Sequence, residues 1–317
     1  MSRILAVVIT YFPEEEQLCR NISSFIDDVD GILIWENTPA DQAPKYRFVQ
    51  NPKIIYMGEG NNVGIAKAFN LALSYATDKG YEYMMTMDQD SSWGNFSWYK
   101  SAIVDNFSMP NALFGPEREI QPSKIEDFKS TIDSNTTIVL HKVIHQKNTQ
   151  IVDNFEKNVD KSESCEQIKL VKNMSLINSG MLAKTAVLNQ LGGYWKQLFV
   201  DGIDEELMCR AKSMGIDAYL VQGAVFHHKL GYPVKKKFFG KEYTVPGYSK
   251  ERLYDRFRSI YMIRRKYPEM TEVNDRLEED WLKNAPLRIL MGADHRFAKL
   301  WAIIKGTHDG KHASIAR

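Results

Sequence analysis

Between residues 4 and 88 the chain alternates short apolar runs with helix-like stretches, and this alternation restricts the fold more than any other feature. Ile4–Thr10, Gly31–Trp35, Lys53–Met57 and Tyr81–Met87 read as strands. One helix is expected within Glu14–Asp27, opened by Pro13 and by acids that suit a helix N-terminus. A second runs from Gly64 to about Lys79, with Ile65, Phe69, Ala72, Leu73 and Ala76 on one stripe and Gly80 as its stop. Strands separated by helices imply parallel pairing with right-handed crossovers, hence an α/β fold.

Residues 115 to about 175 break the rhythm. Two polar stretches, Ile120–Asn135 and Asp153–Gln167, flank a β-like run at Thr137–Ile144, and the region reads as an insertion or a mobile loop region beside the sheet. Strands are expected again at Ile168–Val171 and Leu176–Met181, then a helix from Thr185 that stops at Gly192-Gly193. A further helix covers about Asp204 to Gly215, and strands follow at Ala218–Val221 and Ala224–His227. The last ninety residues show no clear strand and read as helical. Leu290, Ala293, Phe297, Leu300, Trp301 and Ile304 share one face there, with Arg288, Arg296, Lys299 and Lys305 outside it. Two regions are therefore expected, 1–230 for the α/β part and 231–317 for the helical part.

A formal charge of +1 over 317 residues argues against a protein built to hold nucleic acid. Cys19, Cys165 and Cys209 are far apart and odd in number, as expected of free thiols in a reducing cytosol. Ile4–Ile9 is too short for a signal core or a membrane span, which needs roughly 18 apolar residues. A cytoplasmic protein is expected, touching a membrane at most by its surface.

Asp88-Gln89-Asp90 directly follows a strand, where ligands bind in open α/β sheets. Carboxylates one residue apart supply hard oxygens for a divalent cation on a phosphate ester. They are equally good turn and capping chemistry. Asn62-x-Gly64-x-x-Lys67 opens a helix, so its backbone N–H groups can face an anion. The same residues can simply cap that helix and let it pack closely. No Gly-x-Gly-x-x-Gly dinucleotide fingerprint occurs.

Phe199-Val200-Asp201-Gly202-Ile203-Asp204-Glu205-Glu206 enters a helix. Transfer to an alcohol needs a base near the attacking hydroxyl, and a partly dry carboxylate beside other carboxylates is a good one. Acids also enrich any first helical turn; Glu205 and Glu206 fit that account, while Asp204 at the turn fits either. His227-His228 follows a strand and is structural unless it joins the acid pair as a ligand. Lys235-Lys236-Lys237 with Arg252, Arg256, Arg258, Arg264, Arg265 and Lys266 reads as a solvated basic face, or as a surface for a diphosphate or an anionic bilayer.

Taken in order, these segments resemble the family 2 inverting glycosyltransferases of GT-A fold, in a rhamnosyltransferase-like branch. The motifs are Val7–Tyr11, Trp35-Glu36-Asn37, Asn62-Val63-Gly64, Met87–Ser91, Asn178-Ser179-Gly180 with Gly192-Gly193-Tyr194, and Phe199–Glu206 followed by Cys209-Arg210. The branch is suggested by Asp-Gln-Asp-Ser, His228–Gly231, Arg252-Leu253-Tyr254 with Arg258, and Lys305-Gly306. The resemblance implies a Rossmann-like, mostly parallel sheet flanked by helices, with a helical C-terminal extension. It implies that Thr10, Tyr11, Glu36 and Asn62 surround the nucleobase and ribose, with Asn37, Gly64, Lys67, Gln89, Ser179 and Gly180 in the same donor-binding set. Asp88 would contact the ribose or the metal's outer shell, Asp90 and His228 would hold Mg²⁺ or Mn²⁺ at the diphosphate, and Asp204 would be the general base. Glu36 stands where the family usually has Asp, and Ser259 where the branch often has Asn.

The expected activity is metal-dependent, inverting transfer from a nucleotide-diphosphate sugar, dTDP-rhamnose before a UDP-sugar, to a glycan or lipid-linked glycan in surface polysaccharide synthesis. It requires residues 90 and 204 to serve one cleft. The alternatives are a sugar-phosphate nucleotidyltransferase or an inactive nucleotide-sugar-binding module; the acidic, glycine-free Tyr11–Glu16 counts against the first. The stripe near 287–305 is expected at a membrane surface, on the chain's own core, or on a second subunit of a homodimer.

Overall fold

The computed structural model describes residues 2–43, 51–106, 109–118, 137–143, 165–173, 175–228, 233–238 and 241–315. It divides into two compact units, Met1–Asn62 with Phe69–Gly193 and Ala211–His228, and Val63–Ala68 with Tyr194–Arg210 and Lys229–Arg317.

The first unit is built on a ten-stranded mixed sheet. Its strands are β1 (Ile4–Thr10), β2 (Gly31–Glu36), β3 (Ile54–Met57), β4 (Tyr83–Asp88), β5 (Ser92–Trp93), β6 (Leu113–Arg118), β7 (Thr137–Val143), β8 (Cys165–Lys172), β9 (Met181–Lys184) and β10 (Ala218–His227). The spatial order is β3-β2-β1-β4-β9-β6-β10-β8-β7, with β5 on β10. β1, β2, β3 and β4 pair in parallel, as the alternation requires. β9 enters antiparallel between β4 and β6, so β6 and β10 regain the direction of β1. Most strands thus share one direction.

Ile4 to Val8 are each at most 1% exposed, because β1 is covered on both faces, which explains its unbroken apolar run. Ile4, Ala6 and Val8 join Ile32, Ile34, Met85 and Met87 in one core. Helix α1 (Glu15–Ser23) is capped by the Glu14 carboxylate, which accepts the Gln17 N–H, and contributes Leu18 and Ile22 to that core.

Three expectations change. The stretch Leu176–Gly180 is not a strand; β9 starts only at Met181, after Gly180 turns at φ +81°. The two strands expected within 218–227 are one strand, with a register shift between Val221 and Phe226 around Gly223 at φ +91°. The C-terminal region also contains a hairpin, β11 (Pro233–Phe238) with β12 (Lys241–Pro246), where only helices were expected. The polar stretch Ile120–Asn135 lies outside the described residues, as does most of Asp153–Gln167.

The second unit is mainly helical. After α2 (Ile65–Asp78), α3 (Phe96–Val104) and α4 (Thr185–Gln190), the chain forms α5 (Ile203–Ser213), α6 (Lys250–Lys266), α7 (Thr271–Leu277), α8 (Asn284–Gly292) and α9 (Arg296–His312). The expected single stripe over 287–305 is broken at 293–295, where His295 has φ 52°. Its residues divide accordingly. Ala293 and Leu300 pack with Leu253, Phe257, Ile289 and Ile303, whereas Leu290, Phe297, Trp301 and Ile304 are exposed. α9 lies close on α6 because Gly306 and Gly310 bring backbone to backbone. A Cβ at either would stand 2.4 Å from the Tyr254 or Arg258 carbonyl oxygen. No helix among the described residues is long and apolar enough to cross a membrane.

Candidate active site

In the first unit, parallel pairing brings three strand ends level. Thr10 pairs with Glu36, and Ile9 with Asp88. Main-chain bonds then fix the loops that leave these ends. Asn37 donates its N–H to the Thr10 carbonyl at 2.8 Å, and the Thr10 hydroxyl donates to the Trp35 carbonyl at 3.3 Å. The Glu36 carboxylate accepts the Thr38 N–H at 2.6 Å, and Thr38 Oγ1 accepts the Phe12 N–H at 2.8 Å. Tyr11 N–H donates to Gln89 Oε1 at 2.8 Å while Gln89 Nε2 donates to the Tyr11 carbonyl at 3.2 Å. Asn21 Nδ2 secures the Gln89 carbonyl at 2.7 Å.

Thr10, Tyr11, Glu36, Asn37, Asp88 and Gln89 are therefore one connected group at the carboxyl edge of the sheet. Phe12, at its tip, sits at φ 44°, a costly conformation for a non-glycine residue held by its Thr38 bond. Tyr11 and Phe12 are about half exposed and pack edge to face with centroids 4.7 Å apart. This exposed aromatic pair suits a flat ring as partner.

A second chain of bonds runs under Asp88. Ser179 Oγ accepts the Asp88 N–H at 3.0 Å and donates to Ser91 Oγ at 2.9 Å. Ser91 Oγ in turn lies 2.8 Å from His228 Nδ1, which is 3.6 Å from the Asp88 carboxylate. Gly180 N–H donates to the Thr86 carbonyl at 2.7 Å, and a Cβ on Gly180 would come within 2.8 Å of Pro116. Ser179 and Gly180 thus shape the floor beneath Asp88, and Ser179 is itself buried. His228 turns its Nδ1 toward Ser91 and Asp88. The Asp88 side chain is 43% exposed, and Asp90 is partly buried on the same turn. Two hard carboxylates on an open turn fit a divalent cation that completes its shell with phosphate and water. Among the described residues no three His, Cys, Asp or Glu side chains form a ready-made cage.

Asn62 ends a segment of the first unit; Gly64 and Lys67 belong to the second. Gly64 has φ +82°, and a Cβ there would stand 2.6 Å from the Phe199 ring. Ile65 N–H donates to the Phe199 carbonyl at 2.6 Å. Gly64 therefore allows close approach of residue 199, and the helix end it opens already spends one N–H on protein. Lys67 is exposed on the first turn of α2.

Asp204 lies in the first turn of α5, amid acids that are firmly held. Asp255 on α6 accepts the Val200 and Asp201 N–H groups, each at 2.9 Å. Arg256 reaches Asp201 at 3.0 Å and Glu205 at 3.1 Å, and Arg252 reaches Asp201 at 3.4 Å. Gly202, at φ +85°, runs flush against Ser259 and Ile263. Burial disfavours the Arg256 charge, but Asp201, Glu205, Tyr248 and Asp204 outweigh it and hold the guanidinium firmly protonated. Burial raises the Asp255 carboxyl above its usual range despite the two N–H bonds it accepts.

Glu206 departs from the expected solvated helix start. It is 1% exposed and binds Arg210 at 2.6 Å, Lys266 at 3.0 Å and the Tyr267 hydroxyl at 2.7 Å. Much of the expected basic face is likewise engaged with groups of the chain itself. Arg264 pairs with Glu278, Arg258 caps the Gln197 carbonyl, and Arg265 holds the Gly310 and Ala313 carbonyls. The side chains of Lys235–Lys237 lie outside the described residues. Thr38, Asn21, Ser91 and Asp255 were not among the sequence candidates, and Arg256 was named only within the basic face. Of these only Ser91 carried a signal, as the residue after Asp90.

Residues 6–100 match glycosyl transferase family 2. Over 268 residues the chain is 26% identical to a dTDP-rhamnosyl transferase, RfbF, of Shigella flexneri, covering 84% of this chain and 81% of the relative. Its fold is similar to a crystal structure of GalNAc-T7 with UDP, GalNAc and Mn²⁺, with a TM-score of 0.50, 12% identity and 99% of this chain aligned. The chain spans 58% of the length of that structure. A mixed, mostly one-directional sheet flanked by helices, with a helical C-terminal region, is the GT-A architecture expected from the motifs. The chain is a glycosyltransferase, similar over residues 6–100 to glycosyl transferase family 2.

Proposed function

We propose that the chain moves rhamnose from dTDP-rhamnose, by inverting transfer, to a hydroxyl of a glycan or lipid-linked glycan in surface polysaccharide synthesis. The observation that carries this reading is the bonded group at the ends of β1, β2 and β4. There Tyr11, Glu36, Asp88 and Gln89 surround one edge of the sheet. An exposed aromatic pair for a base and an open carboxylate turn for a diphosphate are the parts a nucleotide-sugar donor needs. The 26% identity to a dTDP-rhamnosyl transferase supports dTDP-rhamnose over a UDP-sugar.

Asp88 and Asp90, with His228 beside Asp88, are the residues to hold Mg²⁺ or Mn²⁺. When bound, such a cation offsets the negative charge that grows on the departing diphosphate. The remaining chemistry belongs to the chain. The acceptor oxygen bonds to the anomeric carbon from the face opposite the nucleotide. The bond from that carbon to the phosphate oxygen breaks, and Asp204 takes the hydroxyl proton. Screening dTDP-, UDP- and GDP-sugars for hydrolysis or transfer, with Mg²⁺, with Mn²⁺ and with EDTA, tests the reading. Consumption of dTDP-rhamnose only with cation supports it; consumption of another donor alone, or turnover indifferent to EDTA, refutes the corresponding part.

The exposed face of α8 and α9 supports a site at a membrane surface. Of ten large exposed hydrophobic residues among those described, five fall at Leu287, Leu290, Phe297, Trp301 and Ile304. Residues 284–305 carry four Lys or Arg against the single acid Asp294. Apolar anchors flanked by cations suit an anionic bilayer. Flotation with phosphatidylglycerol vesicles is expected for the intact chain and lost on Phe297→Glu with Trp301→Glu. Dimerisation of the intact chain that those changes abolish, without flotation, assigns the face to a second copy instead.

A further inference from the structure

The segment that delivers Asp204 has little structure of its own to hold it. It reaches α5 through Phe199–Gly202, which contains a glycine at φ +85° and no regular element. Such a stretch keeps one conformation only if its polar groups are tied elsewhere. Ile65 of α2 donates its N–H to the Phe199 carbonyl, and the side-chain ties to Val200, Asp201 and Glu205 come from one helix, α6.

The ties surround residue 204 on both sides. Before it, one carboxylate oxygen of Asp255 accepts two successive N–H groups, of Val200 and Asp201, at 2.9 Å each. The Asp201 side chain, 3% exposed, meets Arg252 and Arg256. After it, Glu205 meets the other nitrogen of Arg256 at 3.1 Å, and Glu206 meets Lys266 and Tyr267. Arg256 touches both sides, joining Asp201 to Glu205 across the three-residue gap that contains Asp204. Its own position is set by the Trp281 ring, 4.6 Å beneath the guanidinium. A planar fork with two ends of fixed spacing can hold two carboxylates at a defined separation, which a lysine cannot.

We infer that Asp255 and Arg256 are positioning residues for the transfer step: α6 acts as a clamp that fixes the turn carrying Asp204. The inference rests on the proposed role of Asp204 as base. It explains why a buried carboxylate and a partly buried guanidinium sit side by side on a helix that otherwise packs through Leu253, Phe257, Ile260 and Ile263. A purely structural helix would do better with apolar residues there, since desolvated ion pairs contribute little net stability.

The test separates positioning from folding. Arg256→Gln is expected to lower kcat by roughly 10²-fold, the cost of a misplacement on the order of 1 Å. Its dTDP affinity should stay within about twofold, because turnover and nucleotide binding fall on different residues. Arg256→Lys, which keeps the charge but can engage one carboxylate well, should recover part of that loss. Arg264→Gln on the same helix, which removes only the pair with Glu278, should turn over like wild type. Wild-type kcat in Arg256→Gln overturns the inference, as does loss of kcat and of dTDP binding in equal measure. If Arg256→Gln fails to fold, Glu205→Gln decides, since that side chain is 20% exposed. A roughly tenfold lower kcat at unchanged dTDP affinity supports the clamp, and unchanged kcat overturns it. Asp204→Asn keeps the two claims apart. If it turns over normally, the base assignment fails; if it is inactive while Arg256→Gln is normal, only the clamp fails.

Discussion

Tyr11 and Gln89 hold each other by two opposed hydrogen bonds, Tyr11 N–H to Gln89 Oε1 at 2.8 Å and Gln89 Nε2 to the Tyr11 carbonyl at 3.2 Å. The middle residue of Asp88-Gln89-Asp90 thereby ties the loop after β1 to the turn after β4. Its side chain links the exposed aromatic pair to the carboxylate turn.

Gln89→Ala removes both bonds. Because they are solvent-exposed, the stability cost should be small, about 1 kcal/mol or less. The aromatic loop loses its anchor, so dTDP affinity is expected to fall about tenfold, equivalent to roughly 1.4 kcal/mol. Calorimetric titration of dTDP into wild type and variant, beside urea unfolding of both, gives the two numbers.

Gly64→Ala should destabilise the protein whether or not the loop binds phosphate. The left-handed conformation alone costs about 1–3 kcal/mol for a residue with a Cβ. The added carbon would also stand 2.6 Å from the Phe199 ring and 2.8 Å from its carbonyl oxygen. A lower urea midpoint with unchanged slope is the expected outcome.

Glu206→Leu should be among the most destabilising single changes. It strips Arg210 and Lys266 of a shared buried partner, a situation that costs roughly 3–5 kcal/mol. Replacing Glu206, Arg210 and Lys266 together by apolar residues of similar volume should recover much of that loss. Denaturant unfolding of the single and triple variants checks both statements.

Burial, followed by Glu206 and Glu205, pushes the Cys209 thiol up to about 12. A raised thiol contributes stability that is fully present below its usual ionisation near 9 and is lost as pH rises through about 12. Alkylation at pH 8 should therefore label Cys19, which is partly exposed, and spare buried Cys209 until the protein unfolds. Peptide mapping by mass spectrometry reads the outcome.

The early strands were legible because β1 to β4 are short and apolar, with a helix between β1 and β2 and another between β3 and β4, a pattern that points to parallel pairing. The grouping of the candidate residues at their carboxyl ends follows from that topology and from the acids at the end of β4. What escaped was set by distant contacts. Arg252 and Arg256 read as solvated cations, since nothing in their own neighbourhood announces Asp201 and Glu205, some fifty positions away. Glu206 looked like an ordinary first-turn acid for the same reason. The stripe at 287–305 was real in composition, yet a break at 293–295 turns Leu300 inward and Phe297 and Trp301 outward. The hairpin β11–β12 was masked by three lysines, which favour no strand on their own.

The most direct measurement is the rate of rhamnose transfer by Asp204→Asn at saturating dTDP-rhamnose and Mg²⁺ or Mn²⁺, with dTDP affinity measured on the same preparation. Loss of transfer by roughly 10³-fold or more, at an affinity within about twofold of wild type, is the predicted result. Transfer at the wild-type rate would contradict the account at its centre, because the proton would then leave the acceptor by another group.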